Sequence, residues 1–363
     1  MSIKFSFRRH FLYPFFLSLI YVLFISPTFV RITDDYLDDN LSAIPSIPFS
    51  SLFSESPSSE TVDTFIRALS TVGFVKITGA HVSAEGLKKE ALSFFKRSHK
   101  EKMGYNFGPY GNDRGGFTPQ GIETVSATAS DDDVSNTGKD RVESYVFRDN
   151  RNLEHHPDRL STLAMEYYSE MESILKRLNL LTSLGLGLND PTFFDDFFWS
   201  DENDANGNAL RLSYYPARGE EKECESKICS ASLRYGPHTD YQHFTILLLD
   251  DNDHRQGFGG LEVLVEDLWV PVVPPGDGSQ TLVVNSGDLL PLWTNGLFKS
   301  NLHRVSNPTS PEGAVYERLT LPFFSGPIHG RIIDPIVREG EEKLYESISS
   351  EDHLRAKLGL SNE

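Results

Sequence analysis

The sequence predicts a mainly β protein with flanking helices, a double-sheet β-fold preceded by an α/β portion. Three observations carry this. From Leu210 onward, short apolar runs are broken by Gly, Pro, Asn and Asp, the pattern of a double-sheet β-fold. Before that point, apolar residues recur at helical spacing. The composition, 39% hydrophobic and 12% aromatic over 363 residues, suits a globular core in one large domain or two modest ones.

The N-terminus differs from the rest. Lys4, Arg8 and Arg9 precede Phe11–Val30, a run of 20 residues without a charge. A basic start followed by an apolar stretch of bilayer length reads as a signal or signal anchor over residues 1–30. With no small-x-small cleavage site in view, an uncleaved membrane attachment through residues 11–30 is the favoured form, and a secretory or organellar location follows from it. Otherwise the chain is cytoplasmic. Residues 31–44, rich in Asp and Ser, read as a linker. The net charge is −18, from 34 basic and 52 acidic residues, which argues against a nucleic-acid partner. The expected form is a monomer.

Each following element has its own signal. Thr61–Thr71 places Val62, Phe65, Ile66 and Leu69 on one side of a short helix. Gly73–Ile77 reads as a strand. Ser83–Lys102 reads as a helix with Ser83 as N-cap and Leu87, Ala91, Phe94 and Phe95 as its apolar face. Residues 126–139, rich in Ser and Asp, read as mobile. Arg159–Leu184 carries the longest helical stripe, and residues 151–204 read as bracing helices. Strands are expected near 210–215, 236–240, 243–249, 261–265, 269–273, 280–285, 288–292, 302–306 and 317–324. Residues 341–358 read as a final helix within a C-terminal segment, 331–363. Cys224 and Cys229 form no zinc motif, and the sequence leaves open whether they pair.

The chemistry concentrates in His238-Thr239-Asp240. Side chains two apart on a strand share a face, so His238 and Asp240 project together. His303 is the candidate third ligand from another strand. Two His and one carboxylate leave a metal face open, the set associated with non-haem Fe(II) oxygenases. Downstream, Arg318 and Thr320 also sit two apart. A guanidinium beside a hydroxyl suits a carboxylate.

These residues carry a family resemblance. In order, Arg211-Leu-Ser-Tyr-Tyr-Pro216, His238-Thr-Asp240, Gly259-Gly-Leu-Glu-Val263, Trp269-Val-Pro-Val272, Leu282-Val-Val-Asn-Ser-Gly-Asp288, Asn301-Leu-His-Arg-Val305 and Arg318-Leu-Thr320 resemble the isopenicillin N synthase-like branch of the 2-oxoglutarate- and Fe(II)-dependent dioxygenases. The resemblance spans residues 45–335. It implies a double-stranded β-helix (jelly-roll) barrel over 205–330 and an N-terminal portion over 45–150. It implies Fe(II) on His238, Asp240 and His303, with 2-oxoglutarate as co-substrate held by Arg318, Thr320 and Tyr215. Ascorbate is a further reductant. The expected activity is hydroxylation or desaturation of a small organic molecule by dioxygen, releasing succinate and carbon dioxide. Arg114-Gly-Gly-Phe-Thr-Pro-Gln-Gly121 resembles a loop of the substrate pocket, which points to Phe117, and Phe244 and Phe324 are further pocket candidates. Ser213 stands where the family often has Asn, and Thr320 where it often has Ser. Two alternatives remain open at this level: an Fe(II) oxidase of the same fold without 2-oxoglutarate, and a non-catalytic binding barrel.

Overall fold

The computed structural model describes residues 44–108, 115–122, 142–148, 153–200, 206–217, 233–249, 260–306 and 317–360. Residues 1–43, the Ser/Asp-rich segment 126–139, Arg114, Cys224, Cys229 and Gly259 lie outside them. Among the described residues, no helix is long and apolar enough to cross a membrane. Ile44–Glu363 form one compact unit.

The chain opens with strand β1 (Ser46–Pro48), a one-turn helix α1 (Phe49–Leu52), helix α2 (Ser59–Thr71) and strand β2 (Phe74–Ala80). Ser58 caps α2 by accepting from the Thr61 amide. Gly73 makes the turn into β2 with φ +78°, and a side chain there would collide with the Lys299 carbonyl, so glycine is required. Helices α3 (Glu85–Phe95) and α4 (His99–Met103) follow. The single helix expected over 83–102 is therefore two. Ser98 breaks it by starting a capping box with Glu101, and the N-cap of α3 is Ala84, not Ser83.

Strands β3 (Gly116–Thr118) and β4 (Glu143–Phe147) come next, neither of them in the sequence-based set. The long helix α5 (Asp158–Gly185) and the short helix α6 (Asp195–Phe198) cover the outside of the sheet. The barrel strands are β5 (Ala209–Tyr215), β6 (Tyr235–His238), β7 (Phe244–Leu249), β8 (Leu261–Val265), β9 (Leu268–Pro271) and β10 (Gln280–Ser286). Helix α7 (Leu289–Trp293) replaces the strand expected near 288–292, with Pro291 tolerated in its first turn. Then come β11 (His303–Val305), β12 (Arg318–Thr320), β13 (Phe323–Phe324), β14 (Ile332–Ile333), β15 (Ile348–Ser349) and α8 (Ser350–Leu360). The last helix starts nine residues later than the expected 341–358. Side chains hold that stretch out of helix: Asn295 Oδ1 accepts from the Leu344 amide and Asp334 accepts from Lys343.

Among the described residues the strands form two main sheets. One runs β1-β2-β10-β7-β13-β5-β4-β3, with β12 also paired to β5; the other runs β6-β11-β8-β9. Directly opposed residues share a sheet face, so the register sorts the side chains. Leu210, Leu212, Ile246, Leu282 and Val284 turn outward and join Phe65, Phe94, Tyr167 and Leu178 of the helices in one fully buried core. Phe74, Leu249, Val263, Val270 and Val283 turn inward and fill the space inside the barrel.

Candidate active site

β6 and β11 pair with His238 directly opposite His303. Their rings lie 4.2 Å apart, centroid to centroid. Asp240 stands two residues past the end of β6, in the connection to β7 and not on the strand as expected. Its direction is fixed by the segment after β10: the Asp288 amide donates to the Asp240 carbonyl at 2.8 Å and the Leu289 amide to the Gln242 carbonyl at 2.9 Å. His238, Asp240 and His303 are all buried, and their candidate donor atoms lie within 4.8 Å of one another. His238 Nε2 and His303 Nε2 stand 3.8 and 3.7 Å from Asp240 Oδ1.

The surrounding bonds orient all three groups toward one point. His238 Nδ1 is 2.8 Å from the Gly236 carbonyl, and His303 Nδ1 is 3.1 Å from the Asn301 carbonyl. A carbonyl can only accept, so each Nδ1 carries the proton and each Nε2 lone pair is left for a cation. Asp240 Oδ2 accepts from Thr245 Oγ1 at 2.5 Å and from Asn285 Nδ2 at 2.7 Å, which leaves Oδ1 facing the two imidazoles. Thr245 and Asn285 are opposed across β7 and β10. Sequence reading assigns Asn285 to structure and passes over Thr245, because only the register brings them to Asp240.

The electrostatics agree with a cation site. Burial, and the neighbouring His303, push the His238 pKa down to about 3. Burial also pulls His303 down, but the Asp240 carboxylate outweighs it and leaves the pKa raised. Burial alone would raise Asp240; His303, His238 and the bond from Asn285 reverse this and hold its carboxyl well below the usual range. A cation that takes the place of the proton Asp240 favours on His303 would meet two imidazole nitrogens and one carboxylate oxygen, a donor set suited to Fe(II).

The same face of the main sheet carries the second cluster. β12 pairs with β5 so that Arg318 opposes Tyr215 and Thr320 opposes Ser213. Arg318 and Tyr215 are both buried. Arg234, which sequence reading passes over, is also buried and stands 5.8 Å from the Tyr215 ring centroid.

A cavity of about 210 Å³ opens beside His238 and Asp240, and Phe244 and Phe324 are among the residues that line it. Phe117 is not. On β3 the alternation sends Gly116 and Thr118 into the cavity and Phe117 into the core, against Phe94. Leu354 and Leu358 of α8 also line the cavity, and sequence reading does not link them to the site. His243 is buried among Phe194, Phe198 and Trp293, away from the triad.

The model of the 2OG-Fe(II) oxygenase superfamily matches residues 206–327, a span that contains all three ligand candidates and Arg318. Residues 206–327 are thus a 2OG-Fe(II) oxygenase segment. The chain's similarity to relatives runs well beyond the barrel. The gibberellin 2-beta-dioxygenase of Phaseolus coccineus is 27% identical over 307 residues, covering 80% of this chain and 82% of that protein. The proline hydroxylase buaE of Petromyces alliaceus is 27% identical, covering 78% of this chain and 88% of that protein. The crystal structure of a full-length Neurospora crassa protein in complex with alpha-KG superposes with a TM-score of 0.71 at 27% identity, over 87% of this chain and 96% of that one. The family's double-stranded β-helix is the fold seen here, with the cluster of His238, Asp240 and His303 at the edge between its two sheets.

Proposed function

We propose that this protein is a 2-oxoglutarate- and Fe(II)-dependent oxygenase that hydroxylates a small organic molecule, with desaturation as a variant outcome. The observation that carries the reading is the convergence of His238 Nε2, His303 Nε2 and Asp240 Oδ1 on one buried point at the wall of a cavity. The superfamily match and the relatives' names support it.

In this reading His238, Asp240 and His303 hold Fe(II). When bound, the metal supplies the redox chemistry that couples loss of carbon dioxide from 2-oxoglutarate to transfer of one oxygen atom to a substrate C–H bond, the other ending in succinate. The chain's own residues position. Gly236 and Asn301 carbonyls fix the imidazole tautomers, and Thr245 and Asn285 fix the carboxylate. Arg318, Thr320 and Tyr215 hold the far carboxylate of 2-oxoglutarate, the guanidinium giving a paired, charge-assisted contact. Phe244 and Phe324 form part of the substrate wall. Buried apolar residues around the triad keep water from the oxidising centre.

Calorimetric titration of 2-oxoglutarate into the Fe(II)-loaded protein under nitrogen tests this. Binding is expected to need the metal, and Arg318→Ala should weaken it by about 10- to 100-fold, the loss of a charge-assisted pair. Metal-independent binding refutes the reading; no binding refutes it and favours an Fe(II) oxidase that uses no 2-oxoglutarate. Membrane attachment through the uncharged run 11–30 and a monomeric state complete the proposal. Partition of the full chain with vesicles tests the first, and light scattering the second.

A further inference from the structure

β5 lays one face along the whole site. Ala209, Arg211, Ser213 and Tyr215 alternate onto it, and the opposite side chains Leu210, Leu212 and Tyr214 go to the core. Tyr215 lies at the Arg318 end. Arg211 lies two residue pairs away, roughly 13 Å along the strand at the usual rise. It lines the cavity beside His238. The neighbouring strand adds a second cation. Val146 opposes Arg211, so Arg148, two residues on, falls on the same face and also lines the cavity. Arg211 is set in place by Tyr235: its Nη1 donates to the Tyr235 hydroxyl at 3.3 Å and its guanidinium stands 5.7 Å from the ring centroid. That ring in turn packs edge-on to His238, 4.8 Å between centroids.

The cavity wall therefore carries two arginines, Arg211 on β5 and Arg148 just past the end of the neighbouring strand β4. Among its described lining residues the single carboxylate is Asp240, which the metal site uses. The rest of the exposed wall is mainly apolar in area, from Val146, Ala209, Phe324, Leu354 and Leu358, with neutral polar groups from Thr118, Tyr241, Gln242 and Ser325. A neutral apolar substrate gains nothing from two arginines. A dicarboxylate would leave its second charge against leucines. We infer that the substrate is a small, mainly apolar molecule bearing one carboxylate, which Arg211 and Arg148 hold so that its apolar body lies between the metal and α8. Arg211 and Arg148 are thus specificity-determining residues, at the opposite end of the β5 face from the 2-oxoglutarate clamp. This inference rests on the oxygenase reading.

The test uses the full-length protein loaded with Fe(II) and 2-oxoglutarate under nitrogen. Loading is followed by the charge-transfer absorption of the chelate. Benzoate, phenylacetate and octanoate are then titrated against their primary amides, with binding read by calorimetry and by perturbation of that absorption. At least one acid should bind about tenfold or more tightly than its amide, without displacing 2-oxoglutarate. Arg211→Gln and, separately, Arg148→Gln should each weaken the acid by about 10- to 100-fold and leave the amide unchanged, with Arg211→Lys in between. Equal binding of acid and amide, binding of no acid, or displacement of 2-oxoglutarate by the acid overturns the inference while the oxygenase reading stands. Failure to load at all is seen before any acid is added, and it overturns both.

Discussion

Asp240 uses its two carboxylate oxygens differently. Oδ2 takes hydrogen bonds from Thr245 and Asn285, and Oδ1 is left facing His238 and His303. Asn285→Ala removes one of these restraints without touching a ligand. Metal affinity should fall by about 10- to 100-fold, as for other groups that orient a ligand. Competition with a chelating dye measures it. His243 makes a separate prediction. Burial holds its pKa at about 3, against an ordinary value of 6.5. Between those values the unfolded chain takes up a proton that the folded chain refuses, so stability falls as pH drops through that window, by about 1.4 kcal/mol per pH unit. Thermal melts from pH 7 to 4 should therefore show a shallower acid loss in His243→Gln than in the wild type. Much of the residue-level site is legible in the sequence. His238, Asp240, His303, Arg318 and Thr320 announce themselves by spacing of two and by chemistry. Thr245 and Asn285 do not, because a Thr in an apolar strand and an Asn in the next reach Asp240 only through the tertiary register.

At the scale of elements, short apolar runs are the hardest to read. Leu289–Trp293 has the composition of a buried strand but forms a helical turn, since five apolar residues carry no period of their own. Phe117 shows the other failure. Its loop reads as part of the pocket, yet the pleat of β3 turns that one side chain away and presents its two neighbours. The C-terminal helix cannot be tied to the site from sequence, because over a hundred residues separate it from β6. The contacts are nonetheless specific: His353 Nε2 bonds the Tyr241 carbonyl at 2.7 Å, and Lys357 Nζ pairs with Asp288 at 2.6 Å. Asp288 also accepts from Thr239, between His238 and Asp240, so α8 is tied to the segment that carries Asp240. The ion pair is partly exposed and adds little global stability. Lys357→Ala should change the unfolding free energy by less than about 1 kcal/mol, yet speed amide exchange in α8 by about tenfold. Exchange mass spectrometry reads both α8 and the rest of the chain.

At the scale of the molecule, the N-terminal helices and the barrel share one core. Phe94 touches Phe95, Tyr105, Phe117 and Tyr145, joining α3 to β3 and β4, and Phe65 meets Phe244 of β7. A shared core implies one cooperative unfolding step for residues 44–363. Phe94→Ala should cost about 3–5 kcal/mol and lower the whole transition without splitting it, as followed by calorimetry. The same architecture explains how a site of few residues is kept rigid. The sheet that carries Arg318 and Tyr215 and the sheet that carries both imidazoles meet where β6 leads into β7, and Asp240 sits in that connection.

The measurement that bears most directly on the central claim is succinate release from 2-oxoglutarate by the full-length protein with Fe(II) and ascorbate. Wild type is expected to form succinate, slowly without substrate and faster once a substrate is supplied, and His303→Ala to form none above the metal-only background. Succinate formed equally by His303→Ala, or substrate oxidised by the wild type with no succinate at all, would contradict the account.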